Sequence, residues 1–172
     1  MLINLSNVLT SEGMQMTREI PLEMRCFESR MGSFAVTDAS CVSLVITNAG
    51  PGKARIEGGV KLTFRTNCDR CLTEMSTVLD LHFDRIVAVM AAEDEEADEL
   101  GLTEESQLDV ETFVHNEILV NWPAKILCRE DCRGICPVCG QDLNQGSCGC
   151  DTFVPDPRMA VIQDIFNKKK EV

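Results

Sequence analysis

What the chain lacks narrows it first. No apolar run approaches the ~20 residues needed to span a bilayer as a helix, and no membrane partner is expected. The opening Met1-Leu-Ile-Asn-Leu-Ser6 has neither the basic region nor the long apolar stretch of a signal peptide, so the expected location is cytoplasmic. There is no glycine loop built to cradle phosphate, no nucleophile elbow and no helical His-Glu-x-x-His site. Only two histidines occur, and neither has metal-motif spacing: His82 reads as the polar face of a strand and His115 as helix surface. These absences point away from an enzyme and from a small-molecule substrate. Positive charge is also scarce, with 16 Lys and Arg against 28 Asp and Glu, a net charge of −12. Proteins that neutralise phosphates normally present a basic surface, so non-specific RNA affinity should be weak.

The negative charge is concentrated. Glu93 to Glu111 holds ten acidic residues and no basic one, which leaves about −2 for the rest. Like charges at this density repel and have little apolar area to bury, so residues 93–106 are expected to form a mobile acidic loop.

What the chain does have is cysteine. Six of its ten cysteines fall in the stretch Cys128 to Cys150. Within it, Cys136-Pro-Val-Cys139-Gly140 is a zinc knuckle in type: two thiols two residues apart, a stiffening proline, and a glycine that lets amides fold back toward sulfur. Cys148-Gly-Cys150 offers a second pair. Cys128 and Cys132 need partners from elsewhere, and Cys68-Asp-Arg-Cys71 is the only other close pair. The grouping is therefore Cys68, Cys71, Cys128 and Cys132 in one site, and Cys136, Cys139, Cys148 and Cys150 in another, with two zinc ions expected. In a reducing compartment paired Cys-x-x-Cys motifs favour metal over disulfides. Four thiolates can also hold iron, and a redox or metal-responsive protein that switches through these pairs is the alternative reading. Cys26 and Cys41 lack close partners and read as buried hydrophobes.

The remaining pattern supports an α+β fold built on an antiparallel sheet. Alternation predicts a strand over Arg18 to Cys26, with Ile20, Leu22, Met24 and Cys26 inward and Pro21 marking a sheet edge. It predicts others at Val42 to Thr47, at Ala54 to Phe64 with a bend or bulge at Gly58-Gly59, and at Val78 to Met90 with Leu79, Leu81 and Phe83 inward. The first cysteine pair thus falls on a strand-to-strand connection. Asp109 is placed to cap a helix ending before Pro123, with Val110, Phe113, Val114, Ile118 and Leu119 on one face and Trp122 in the core. Asp156-Pro157 starts a final helix with an apolar stripe of Met159, Ile162, Ile165 and Phe166, ending in Lys168 to Lys170. The expected organisation is a sheet domain over residues 1–127, with the cysteine-rich module and final helix, 128–172, packed on it.

Several of these features occur together in order: Ile3-Asn4-Leu5-Ser6; Cys68-Asp-Arg-Cys71-Leu72; Trp122-Pro123 leading to Cys128; Asp131-Cys-Arg-Gly-Ile-Cys-Pro-Val-Cys-Gly140 with Leu143-Asn144; and Asp156-Pro157-Arg158. This set resembles the YceD family, the bacterial large-ribosomal-RNA-subunit accumulation proteins, over nearly the whole chain. The resemblance implies a factor in ribosome assembly or rRNA processing, partnered by a large-subunit precursor or an assembly protein. It carries over no catalytic residues. The eight grouped cysteines match the family's cysteine positions, while their role as zinc ligands is inferred from spacing.

Overall fold

The computed structural model describes residues 1–11, 13–88, 102–103 and 106–151. The expected acidic loop falls outside these residues except for Leu102, Thr103 and Ser106, and the expected final helix falls outside them altogether. The chain forms two compact units, one of Met1–Asn67 with Glu74–Ile126 and one of Cys68–Thr73 with Leu127–Val172. No helix among the described residues is long and apolar enough to cross a membrane.

The first unit is α+β and mostly antiparallel sheet. In chain order it contains β1 (Leu2–Asn4), α1 (Ser6–Thr10), β2 (Gln15–Ile20), β3 (Cys26–Ser29), β4 (Gly32–Ala39), β5 (Val42–Gly50), β6 (Lys53–Asn67), β7 (Glu74–Ala88), β8 (Leu102–Thr103), β9 (Gln107–Asp109) and α2 (Val110–Asn121). The long strand β6 is the axis of a six-stranded sheet ordered β2-β5-β6-β4-β3. Strand β7 pairs with it from Lys53 to Asn67. Its other edge is shared, with β5 along Lys53 to Gly59 and β4 along Leu62 to Phe64. A small sheet, β1-β9-β8, contributes Ile3 and Leu108 to the same core.

Strict alternation explains why β6 can serve as the axis. Ala54, Ile56, Val60, Leu62 and Phe64 all point inward and are buried, beside Val42, Leu44 and Ile46 of β5 and Leu81 and Phe83 of β7. Gly58 and Gly59 make no bulge; the register runs straight through them on both sides. They serve close approach instead. A Cβ on Gly58 would collide with the Ser43 carbonyl oxygen and meet Phe83 at 3.0 Å, and one on Gly59 would lie 2.7 Å from the Leu81 carbonyl oxygen.

Other expectations change. The strand predicted over 18–26 stops at Ile20, since Pro21 has no amide to continue pairing with β5, and β2 does form a sheet edge. Pairing resumes in β3 with opposite parity, so Phe27 is buried and Cys26 is exposed. Strand β5 continues through the expected turn at Asn48, whose side-chain amide donates to the Val8 and Leu9 carbonyls at the end of α1 (2.8 and 3.2 Å). Asp109 caps α2, accepting from the Glu111 amide at 3.3 Å and the Thr112 hydroxyl at 2.8 Å.

The inner stripe of α2 is Val110, Phe113, Val114, Glu117 and Ile118; Leu119, about 100° further round, is exposed. Buried Glu117 is compensated by a two-pronged pair from Arg85 of β7, at 2.7 and 3.2 Å. Trp122 ends the helix among rings, with centroids 5.1, 4.7 and 5.2 Å from Phe27, Phe34 and Phe64. His115, expected on the surface, lies half-buried against Phe27, with Nε2 3.0 Å from the Glu28 carbonyl oxygen. The missing Cβ at Gly58 yields a direct test. Gly58→Ala should destabilise the first unit by about 1–3 kcal/mol, as overpacking typically does, read as a lower denaturation midpoint at unchanged slope. An unchanged midpoint would contradict the close-approach reading.

Candidate metal centre

Both groups of cysteines lie within the second unit. Strand β6 runs into Cys68 and β7 leaves after Thr73, so the tip of the central hairpin supplies Cys68 and Cys71; the segment after α2 supplies Cys128 and Cys132. Cys68 Sγ is 3.8 Å from Cys132 Sγ, and Cys71 Sγ is 3.6 Å from Cys128 Sγ. The four sulfurs lie within 4.8 Å of one another, as do those of Cys136, Cys139, Cys148 and Cys150.

These spacings suit a metal and not a disulfide. A regular tetrahedron with metal–sulfur bonds of about 2.3 Å has edges of about 3.8 Å, whereas a disulfide brings sulfurs to about 2.05 Å. All ten cysteines are free. Each set can therefore hold one metal ion, with four protein ligands filling a tetrahedral shell. Such a site has no open position for water or substrate, the arrangement typical of structural centres. Cys26 and Cys41, expected to be buried, are exposed and belong to neither set; the Cys26 sulfur sits 2.9 Å from the Ser33 hydroxyl.

The backbone around each set is arranged for anionic sulfur. In the first knuckle the Leu72 amide donates to the Cys68 carbonyl at 2.9 Å; in the second, the Gly140 amide donates to the Cys136 carbonyl at 2.8 Å. Backbone amides point at the leading sulfur of each turn. Amides of Cys128 and Cys71 draw the Cys68 thiol down to about 6, and those of Cys139 and Val138 draw Cys136 down to about 6. The Thr73 hydroxyl and amide lower Cys71 as well. The opposite holds at the far corners. Desolvation and then the neighbouring thiols push Cys128 up to about 12, and Cys139 and Cys148 push Cys150 up to about 12. Each set thus combines a sulfur that ionises readily with one that resists a further negative charge, until a cation offsets the repulsion.

A polar frame fixes these turns. The Asn144 side chain donates to Cys132 Sγ at 3.4 Å and to Asp142 at 2.7 Å, and it accepts from the Arg133 amide and the Arg129 guanidinium, both at 2.8 Å. Arg70 donates to the Cys132 carbonyl at 2.8 Å. Gly134, at φ +76°, leaves room for the Arg70 carbonyl, which would lie 2.9 Å from a Cβ there and which accepts from the Ile135 amide at 3.2 Å. Spacing alone does not reveal Asn144 or Arg70 as braces; the only trace is Leu143-Asn144 following the second knuckle.

An α+β protein carrying paired four-cysteine centres is the class that this architecture defines. The profile of the family described as large ribosomal RNA subunit accumulation protein YceD matches residues 56–166, a span that includes β6 from Ile56 onward, β7, α2 and all eight clustered cysteines. The chain belongs to this family, whose name associates it with accumulation of large-subunit ribosomal RNA. No curated protein and no solved structure matches the chain.

Because Asn144 holds Cys132 from outside the sulfur set, Asn144→Ala should leave the ligands in place but loosen them. Retention of metal against a competing chelator should fall about 10–100-fold, as for other partners of metal ligands. Unchanged retention would contradict its role as a brace.

Proposed function

We propose that the chain is a non-enzymatic, zinc-stabilised factor needed for accumulation of large-subunit ribosomal RNA, acting in ribosome assembly or rRNA processing in the cytoplasm. The family match across both four-cysteine sets carries this reading. Two zinc ions would be held, one by Cys68, Cys71, Cys128 and Cys132 and one by Cys136, Cys139, Cys148 and Cys150. They would supply folding energy rather than a reactive ligand, since zinc bound by four thiolates is coordinatively saturated.

The factor reaches rRNA through a protein partner or a preassembled precursor particle. Electrostatics supports this route. The cations on the exposed face of β6 already face acids: Arg55 pairs with Asp84 and Glu57, Arg65 pairs with Glu74, and Lys61 stands opposite Asp80 in the β6–β7 register. A stripe neutralised in this way has little to offer a phosphate backbone. Its carboxylates repel phosphate, and breaking these pairs to release a guanidinium would oppose binding further.

Elemental analysis of the purified chain should give two zinc ions, and depletion in the source cell should lower large-subunit rRNA relative to small-subunit rRNA. Binding to naked rRNA should be no tighter than the ~10⁻⁴–10⁻⁶ M of non-specific association at physiological salt. An unchanged rRNA ratio would remove the ribosomal assignment, and salt-resistant nanomolar binding to naked rRNA would overturn the partner-mediated route.

A further inference from the structure

The two sets of cysteines have separate ligands but share one frame. Between Cys132, the last ligand of the first set in sequence, and Cys136, the first of the second, lie only Arg133, Gly134 and Ile135. This link is clasped from two directions. From the first knuckle, the Arg70 carbonyl accepts from the Ile135 amide at 3.2 Å. From the span between Cys139 and Cys148, the Leu143 amide donates to the Gly134 carbonyl at 2.9 Å, the Gln141 carbonyl accepts from the Cys136 amide at 2.8 Å, and Asp142 forms a bridge with Ile135. That span is closed at both ends by ligands of the second set. Asn144 sits in the middle of it, yet the sulfur to which its side chain donates is Cys132, a ligand of the first set. Its oxygen accepts from the Arg133 amide and the Arg129 guanidinium, which flank that same ligand. The span itself holds Asn144 in place, since its backbone and side-chain amides both donate to Asp142, at 2.9 and 2.7 Å.

We propose that Asn144 couples the two centres: filling the second set fixes the span that carries Asn144, and through Cys132 this tightens the first set's hold on its own metal. The proposal rests on the two-zinc reading above and concerns how the two sites regulate each other. Burial sets the direction in which the coupling is felt. In the first set Cys68, Cys71 and Cys132 are buried, whereas in the second only Cys136 is, with Cys148 and Cys150 partly exposed and Cys139 exposed. A competitor for metal therefore reaches the second set more easily. None of residues 140–147 is buried, so once its ends are released the span has no core of its own to keep Asn144 against Cys132. Linkage makes the effect reciprocal, and couplings of this kind typically amount to about 5–150-fold in affinity. The unit as a whole then passes between loaded and empty over a narrow range of free zinc instead of losing its ions one after the other.

The test is a double-mutant cycle on the zinc-loaded full chain, read as retention of zinc against a competing chelator. Its members are the wild type, Asn144→Ala, the pair Cys148→Ala with Cys150→Ala, and all three substitutions together. Emptying the second set through the cysteine pair should lower retention at the first about tenfold or more while Asn144 is present, and should cause no further loss once Asn144→Ala has been made. Both ions should leave the wild type in one cooperative step, and leave Asn144→Ala in two. The fluorescence of Trp122, the single tryptophan, reports unfolding of the first unit and should give the same melting transition in all four chains. Equal losses with and without Asn144, or no loss in either background, would overturn the coupling and leave the zinc-stabilised factor standing. Loss of both ions from the cysteine pair in either background would overturn it too, because the first set would then depend on the second by a route other than Asn144. A shifted Trp122 transition would replace coupling by general destabilisation. A wild-type chain that holds no zinc would remove both readings.

Discussion

Two cysteine pairs lying 57 residues or more apart meet within a few ångströms in the second unit. Strand β6 carries the chain to Cys68, β7 carries it away after Thr73, and α2 with the segment after Trp122 carries it to Cys128. Thiols at this spacing do not attract one another strongly. Amides near Cys68 favour its ionised form, whereas desolvation and then the neighbouring thiols push Cys128 the other way, so further ionisation within the set is opposed. A cation at the centre would reverse that balance and would couple closure of this part of the chain to filling of the site. The polar frame around Asn144 and Arg70 then sets the direction of the turns.

The same constraint explains the division of roles between the units. The first unit obtains its order from ordinary burial: the inward faces of β5, β6 and β7, the stripe of α2, and the ring cluster around Trp122. Among its described residues the second has few buried apolar side chains beyond its own cysteines, of which Cys68, Cys71, Cys132 and Cys136 are the most protected. Segments that bury so little need a metal or another covalent-strength link.

Much of this was legible in the sequence where one physical rule acted alone. The even positions from Ala54 to Phe64 face inward because nothing interrupts the period of two, and Asp109 caps α2 because its carboxylate faces free amides. Cysteine spacing suggested two sets of four, and the structure gathers those sets. Readings failed where two rules competed. Pro21 ends β2 and lets parity change before β3, so alternation across 18–26 placed Cys26 on the wrong face and gave no hint of Phe27 in the core. Glu117 occupies an inward helical position only because Arg85 arrives from β7, a pairing that no local pattern encodes. Gly58 and Gly59 looked like a bulge but record the crowding of neighbouring strands instead.

Filled as proposed, each four-cysteine set would be a closed all-sulfur tetrahedron that ties together distant parts of the sequence. X-ray absorption at the zinc edge of the purified chain tests it most directly. The account predicts a single shell of four sulfurs per zinc at about 2.3 Å, with no nitrogen or oxygen scatterer. A water or other light-atom ligand in the shell, or iron as the bound metal, would contradict it.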